Sequence, residues 1–349
     1  MNQPLKFNEI MQPVSEASRL ESQDYHVWGA SLTVDIDGLY HLFYSRWPVK
    51  NGFEAWVTHS EIAHATSPSP EGPFTHVDVA LPPRMGQYWD AHVTHNPTIK
   101  KFAGKYYLYY MGTRGAEPPE DICVRDFDWD GEVTNREFNF EFRNNQRIGV
   151  AVADHPNGPW QRFDQPLIDV SHDPSQTDSL CCNNPSIVQR PDGTFLMLYK
   201  AVGQEFPLPF GGPVVLRTAT AKGPTGPFTK QPLPVFTKDG VKFPVEDPFL
   251  WYQADRQRYF ALVKDLRGTF TKCGASLALF ESKDGLDWGP ATHCLGSEFI
   301  IPWKNGPQRV DRFERPQIYL EDGIPKYIFL AIRLGEGKAF NVHVPLKYC

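Results

Sequence analysis

Carboxylates recur beside prolines at the start of apolar stretches in this chain. Glu246 and Asp247 precede a proline in VEDPF, and Glu314 lies two residues before a proline in FERPQ. Neighbouring carboxylates repel each other, which raises the pKa of one of them and lets the pair hold a proton near neutral pH. We therefore take these three residues as candidates for acid–base catalysis.

A second polar stretch, YWDAHVTHNPTI at residues 88–99, precedes another apolar strand. It contains Trp89, Asp90, His92 and His95. The histidines suit hydrogen bonding or proton transfer, and the carboxylate suits base catalysis. An Asn or Asp before proline also caps a turn, so part of this pattern has a purely conformational explanation.

An internal repeat accounts for the position of these segments. Each copy has a polar pair, a short apolar strand, a turn rich in Gly or Asp, and a second strand of alternating aromatic and aliphatic residues. The five copies begin at Trp28, His95, Asn183, Glu246 and Glu314. Most are followed by a third strand and a recurring turn, written GPF, GPW or GLDW. Five units of four strands each, at intervals of roughly 65 to 90 residues, predict an all-β fold, a single-domain five-bladed β-propeller.

The propeller is predicted to span residues 21–349, with residues 1–20 as an N-terminal extension. Residues 116–145 form a charged, aromatic-rich insertion between the second and third strands of one blade. On this topology the insertion stands on the same face as the starts of the inner strands. We expect it to form a wall of the site, and an oligomer contact is the alternative.

In a propeller the first strands of the blades line the central axis, so the five polar segments should meet at one mouth. The second strands end in basic residues that return to the same face, namely Arg46, Arg114, Lys200, Lys264 and Arg333. These cations either pair with the acids of the mouth or recognise an anionic ligand. Both interpretations remain open.

Composition limits the classes of function. A net charge of −6 argues against nucleic acid as a partner, and no apolar run is long enough to cross a membrane. The first residues do not have the basic and apolar regions of a secretory signal, and the six cysteines lack metal-ligand spacing. We expect a cytoplasmic protein with reduced thiols, or a periplasmic one whose signal peptide has been removed.

The repeat pattern along the whole chain resembles that of the five-bladed propeller glycoside hydrolases of families 32, 43 and 117. In family 43 an Asp before proline is the base, a second such Asp tunes and orients, and a Glu two residues before proline is the acid. The resemblance assigns Asp247 the tuning role and Glu314 the acid, whereas Asn96 stands where the base should be. The similar spacing in family 117 points to Asp90 as the base instead. The alternatives are Asp24 and Asp178.

The resemblance implies an inverting glycoside hydrolase, and an insertion that walls the site favours exo action on chain ends. We therefore expect an enzyme that cleaves terminal sugars from plant or algal oligosaccharides, and the basic residues of the mouth would allow acidic ones. Trp28 and Trp89 would stack on sugar rings; the alternative for Trp28 is a core residue that fills the axis. The other candidates for substrate binding are His92, His95, Asn183, Lys200, Glu246, Arg315 and Arg333. No cofactor is required, although a structural calcium or zinc ion in the central channel is left open. The alternatives are a glycoside phosphorylase, as in family 130, and a propeller that binds sugar without cleaving it; the oligomeric state is not predicted.

Overall fold

The computed structural model describes residues 5–115, 139–206, 208–295, 299–335 and 338–347. Five four-stranded antiparallel sheets make up most of it, which confirms the predicted five-bladed propeller. We number the blades along the chain and give their strands from the axis outward. Blade 1 has Tyr25–Val34, Tyr40–Pro48, Glu61–Ser67 and Thr75–Leu81; blade 2 has Val93–Phe102, Lys105–Thr113, Arg147–Ala153 and Gln161–Arg162; blade 3 has Cys181–Gln189, Phe195–Val202, Val214–Ala221 and Thr229–Lys230; blade 4 has Val245–Gln253, Arg258–Asp265, Ser276–Ser282 and His293–Leu295; blade 5 has Arg312–Glu321, Ile324–Leu334, Lys338–Pro345 and Arg19–Leu20.

The remaining elements of the described chain are short. They are the α-helices Phe7–Ile10, Trp56–His59 and Phe140–Asn144, the 3-10 helices Glu16–Ser18, Val49–Asn51 and Phe53–Ala55, and a two-stranded sheet of Ile300–Ile301 with Gln308–Arg309. None of these helices is long and apolar enough to cross a membrane.

Apolar side chains fill the space between neighbouring blades. The largest cluster joins blades 4 and 5 and contains the fully buried Trp251 and Ile328. Similar clusters join blades 2 and 3, blades 3 and 4, blades 5 and 1, and blades 1 and 2. Burying one large apolar side chain contributes about 1.5–3 kcal/mol, so these contacts hold the blades at fixed angles around the axis.

The N-terminal segment closes the propeller. Arg19–Leu20 pairs with Asn341 and Val342 and so supplies the outermost strand of blade 5. Further upstream, Leu5, Phe7 and Val14 pack in the cluster between blades 4 and 5. Residues 5–20, which the sequence analysis assigned to an extension, are therefore part of the packed propeller.

All five inner strands carry a β-bulge at the same place. Their pairing with the second strand skips two residues, which are Gly29 and Ala30, Asn96 and Pro97, Asn184 and Pro185, Asp247 and Pro248, and Arg315 and Pro316. The first residue of each pair has a positive φ, between 47° and 59°. Proline is tolerated here because a bulge needs no ladder N–H. The repeated dipeptide in the sequence is therefore the mark of this bulge.

Candidate functional site

The bulges build two rings of side chains at one end of the axis. The axial ring consists of Gly29, Asn96, Asn184, Asp247 and Arg315, and the mouth ring of the residues directly before them, Trp28, His95, Asn183, Glu246 and Glu314. A cavity of about 350 Å³ is lined by both rings except Gly29. The segments that the repeat predicted to converge do meet here.

Hydrogen bonds connect the axial ring. Asn96 Nδ2 donates to Asn184 Oδ1 at 2.5 Å, and Asn184 Nδ2 donates to Asp247 Oδ1 at 2.6 Å. The backbone N–H of Arg315 donates to Asp247 Oδ2 at 3.1 Å. Burial, and then the charge of Glu246, raises the pKa of Asp247 to about 6. Asp247 is thus fixed at the base of the cavity, with an acceptor bond on each oxygen.

Arg315 brings a positive charge to the axis. The side chain is 2% exposed, and its Nη1 lies 3.8 Å from Asp247 Oδ1. A Cβ on Gly29 would lie 3.4 Å from Arg315 Nε, so the glycine leaves space for the guanidinium. A guanidinium at this point repels a divalent cation. Among the described residues there is no group of three or more His, Cys, Asp and Glu that could hold a metal ion. The structural calcium or zinc ion in the channel stays a prediction.

Two lysines connect the carboxylates of the mouth ring. Lys200 Nζ donates to Glu246 Oε2 at 2.9 Å. Lys264 Nζ lies between the two glutamates, 2.9 Å from Glu246 Oε1 and 2.6 Å from Glu314 Oε1. Arg312 adds a second contact to Glu314 Oε1 at 3.2 Å. Both carboxylate oxygens of Glu246 accept hydrogen bonds from lysines, whereas both of these ion pairs of Glu314 involve the same oxygen, Oε1.

The charges of these groups follow from their surroundings. Burial raises the pKa of Glu246, but the charges of Lys200 and Lys264 outweigh it and hold the pKa well below its ordinary value. His95 is 3% exposed, and burial followed by the charges of Arg315 and Lys200 keeps its pKa well below the usual range. Glu246 is therefore a fixed carboxylate and His95 a neutral imidazole at neutral pH.

Aromatic side chains form the wall of the cavity on the side of blades 1 and 5. They are Trp28, Trp47, Phe53, Trp56, Phe299 and Phe313. Phe53 meets Trp28 edge to face at a centroid distance of 5.2 Å, and Trp56 stacks on His95 at 5.1 Å. An apolar wall facing a few convergent polar groups is the usual composition of a small-molecule site.

Solved structures with the same architecture are glycoside hydrolases. Zg3597, a family 117 glycoside hydrolase produced by the marine bacterium Zobellia galactanivorans, is 16% identical, covers 96% of this chain and 88% of its own, and has a TM-score of 0.62. An endo-arabinase from Bacteroides thetaiotaomicron is 14% identical over 97% of this chain and 98% of its own, at 0.57. A family 43 β-xylosidase/α-arabinofuranosidase from a compost metagenome, in complex with xylotriose, is 15% identical over 95% and 96%, at 0.55.

This chain shares their fold. No protein-family model matches the sequence, and no curated protein does. At these identities the likeness concerns the architecture, and the chemistry must be argued from the side chains of the site.

Asp90 does not lie in the cavity. It is fully buried in blade 2, where it accepts hydrogen bonds from Arg84 and from the Tyr110 hydroxyl, both at 2.6 Å. Arg162 adds an ion pair at 3.4 Å. A general base must lie within about 3 Å of the proton that it takes. In this structure Asp90 is a buried ion-pair partner away from the cavity, a position that does not support its predicted role as the base.

The two alternatives for the base are also outside the cavity. Asp178 is fully buried in blade 3 and contacts Lys230 at 2.6 Å and Arg217 at 3.2 Å, with the Tyr199 hydroxyl at 3.2 Å. It repeats the arrangement around Asp90. Asp24 is exposed before the first inner strand and is not a lining residue.

Trp89 and His92, predicted to bind substrate, also lie elsewhere. Trp89 packs on Tyr110 at a centroid distance of 5.5 Å, and a Cβ on Gly112 would lie 2.6 Å from its ring. The missing side chain of the glycine makes room for the indole against blade 2. His92 Nδ1 accepts from the Gly115 N–H at 3.2 Å. Neither residue reaches the cavity.

The other predicted binding residues divide in two groups. Trp28, His95, Asn183, Lys200, Glu246 and Arg315 line the cavity, together with Asp247 and Glu314. Arg333 is not a lining residue; its guanidinium lies 4.3 Å from the ring centre of Phe53, which does line it.

Of the basic residues that end the second strands, Lys200 and Lys264 pair with acids of the mouth. Arg46 pairs with Glu61 and Arg114 contacts Gln87, away from the cavity. In the predicted insertion, residues 116–138 lie outside the described residues, so the wall and the oligomer contact both stay predictions. The part that is described ends in the helix Phe140–Asn144.

Sequence reasoning missed the contribution of the connection between the second and third strands of blade 1. Phe53, Glu54 and Trp56 from this connection line the cavity. The motif FEAW carries an acid between aromatic residues, and its connection is equivalent to the one that carries the insertion in blade 2. The topological argument used for residues 116–145 would also have selected this shorter segment.

Proposed function

We propose that this protein is an exo-acting glycoside hydrolase whose active site is the cavity at the mouth of the propeller. The observation that carries the proposal is the meeting of Glu246, Asp247 and Glu314 in one cavity with an aromatic wall. Glycoside hydrolysis needs a carboxylic acid for the leaving oxygen and a carboxylate on the other side of the sugar. Aromatic rings pack against the C–H face of a sugar, and the axial amides and cations would bind its hydroxyls.

The size of the cavity supports a short terminal sugar. A volume of about 350 Å³ is at the small end of the range of about 300–1,000 Å³ for ligand pockets. The axial ring closes its base, which favours a chain end over the middle of a chain. Among the described lining residues, the basic side chains Lys200, Lys264, Arg267, Arg312 and Arg315 are matched in number by Glu54, Glu246, Asp247, Asp311 and Glu314. With Glu314 protonated as the acid, the lining has one surplus positive charge, which is compatible with an acidic as well as a neutral terminal sugar.

In the proposed reaction Glu314 protonates the leaving oxygen. Its Oε1 accepts from Lys264 and Arg312, so Oε2 is the atom that would carry the proton. When Glu314 is protonated, Lys264 keeps Glu246 as its anionic partner at 2.9 Å. Glu246 would thus stabilise the charge of Lys264 in both protonation states of Glu314, and Asp247 would orient the sugar from below.

A screen of purified protein on neutral and acidic oligosaccharides, with and without inorganic phosphate, tests the proposal. We expect release of a terminal monosaccharide without phosphate, and loss of release in Glu314→Gln. Glu321→Gln, at the exposed far end of the same strand, is the matched control and should keep the activity. Turnover that requires phosphate would identify a phosphorylase, and sugar binding without turnover would identify a non-catalytic propeller; either result would contradict the proposal.

A further inference from the structure

A hydrolase built on this cavity has no base at the position where the family pattern places one. Asn96 occupies that position, and its amide donates to Asn184. Asp90 and Asp178 are held in buried ion pairs outside the cavity. The second carboxylate required by the proposed function must therefore come from another part of the site.

Most of the lining carboxylates are unsuited to this task. Both oxygens of Glu246 contact lysines, and both oxygens of Asp247 accept hydrogen bonds at the base of the cavity. Asp311 lies three residues before Glu314 on the same blade, and its Oδ2 accepts from the Gly335 N–H at 2.9 Å. Asp311 is thus held by the backbone of its own blade.

Glu54 reaches the cavity from a different direction. It belongs to the 3-10 helix Phe53–Ala55 in blade 1 and is 9% exposed. The Trp56 indole N–H donates to Glu54 Oε2 at 3.2 Å, and the same indole stacks on His95. His95 directly precedes Asn96, so Trp56 links Glu54 to the start of blade 2. The connection thus adds a carboxylate to a cavity to which the inner strand of blade 2 supplies an imidazole and an amide.

We propose that Glu54 is the general base of the reaction, an inference that rests on the proposed function. Glu54 takes a proton from a water molecule, the water oxygen forms a bond to the anomeric carbon, and the bond from that carbon to the leaving oxygen breaks. Glu314 gives its proton to the leaving oxygen. The product has the inverted configuration, and the two carboxyl groups return to their starting states by exchange with solvent.

Chemical rescue of Glu54→Ala tests this assignment on the substrate found in the screen. We expect the kcat of this variant to fall by about 10²- to 10⁴-fold, the usual contribution of a general base. Added azide needs no deprotonation, so it should restore turnover and give the glycosyl azide of inverted configuration. Glu54→Asp, which keeps a shorter carboxylate, should retain more activity than Glu54→Ala. The wild-type product, observed by NMR at early times, should be the inverted anomer.

Each other outcome overturns the assignment. Glu54→Ala with activity within about threefold of wild type would show that another group takes the proton. A folded Glu54→Ala that binds the sugar but is not rescued by azide would show that Glu54 has a structural role. A wild-type product with retained configuration would show that Glu54 does not act as the general base of an inverting reaction. In these cases the protein is still a hydrolase. Absence of turnover by the wild type itself would instead remove the proposed function and this inference together.

Discussion

Lys264 Nζ lies 2.6 Å from Glu314 Oε1 and 2.9 Å from Glu246 Oε1, so one cation bridges the two glutamates of the mouth. Although burial lowers the pKa of Lys264, the charges of Glu246 and Glu314 outweigh it and hold the pKa above its ordinary value. Lys264 is therefore charged at neutral pH, and its charge favours the ionised form of Glu246.

Replacing Lys264 with methionine should lower the activity of the enzyme. Without the bridging cation, the carboxylates of Glu246 and Glu314 repel each other and lose the partner that fixes their positions. We expect kcat/KM to fall by about tenfold or more. Steady-state kinetics on Lys264→Met measures this, and Lys264→Arg, the control that keeps the charge, should retain more activity. Wild-type kcat/KM in the methionine variant would contradict the proposed role of the ion pair.

Trp56→Phe tests whether the indole N–H orients and stabilises the Glu54 carboxylate. A hydrogen bond to the charged form of a carboxylate favours that form, and phenylalanine keeps an aromatic ring against His95 while removing the donor. We expect kcat to fall, but by less than in Glu54→Ala, because the carboxylate is kept and only the donor that orients it is lost. A kcat equal to that of wild type would argue against orientation of Glu54 by the indole.

Asp90 should be needed for stability. Asp90→Asn leaves Arg84 and Arg162 without their buried anion, and breaking such a pair costs about 3–5 kcal/mol. Urea unfolding of the variant and of wild type measures the difference in the free energy of unfolding. The matched control is Asp164→Asn, because Asp164 pairs with the same Arg84 but is 75% exposed and should contribute less than about 1 kcal/mol. A stable Asp90→Asn protein without activity would restore Asp90 as a catalytic candidate.

His26 should make the protein sensitive to acid. It is 1% exposed, and burial, followed by the charge of Arg333, lowers its pKa from 6.5 to about 4. Between these values the unfolded chain binds a proton that the folded chain does not. The stability is therefore complete above about pH 6.5 and decreases by up to about 3 kcal/mol as the pH falls to 4.

The His26→Phe variant removes this titration and keeps an aromatic ring in the same packing. The difference in the free energy of unfolding between pH 7.5 and pH 4 should shrink by about 3 kcal/mol, measured by urea unfolding at both pH values. His172→Gln, at an exposed position, should leave the difference unchanged. If the free energy of unfolding decreases equally on acidification in wild type and in His26→Phe, then His26 is protonated in the folded protein as readily as in the unfolded chain.

Much of this architecture is predictable because the bulge leaves a local signal. Each inner strand needs a residue that accepts a positive φ, followed by one that needs no ladder N–H, and Asn-Pro or Asp-Pro meets both requirements. That signal located Asp247 and Glu314 at the mouth. Arg315 follows the same backbone rule with an unusual residue, and the space for it comes from Gly29 on another blade, which the local pattern does not record.

The base was the part that sequence reasoning could not place. Asp90 stands in a polar stretch beside a repeat, but its partners Arg84 and Arg162 come from other segments, and only the fold shows that they neutralise it. Glu54 lies in a connection between strands, outside the repeated segments, so the periodicity does not identify it. Its position depends on the path of a short helical segment and on the stacking of Trp56 on His95.

The dependence of Glu314→Gln on the leaving group tests the central claim most directly. A general acid matters most when the leaving group is a poor one, because an activated aryl leaving group departs without a proton. We predict that Glu314→Gln cleaves the natural oligosaccharide about 10²- to 10⁴-fold more slowly than wild type but cleaves the dinitrophenyl glycoside of the same sugar at nearly the wild-type rate. An equal loss on both substrates, or no loss on either, would contradict the assignment of Glu314 as the acid of this site.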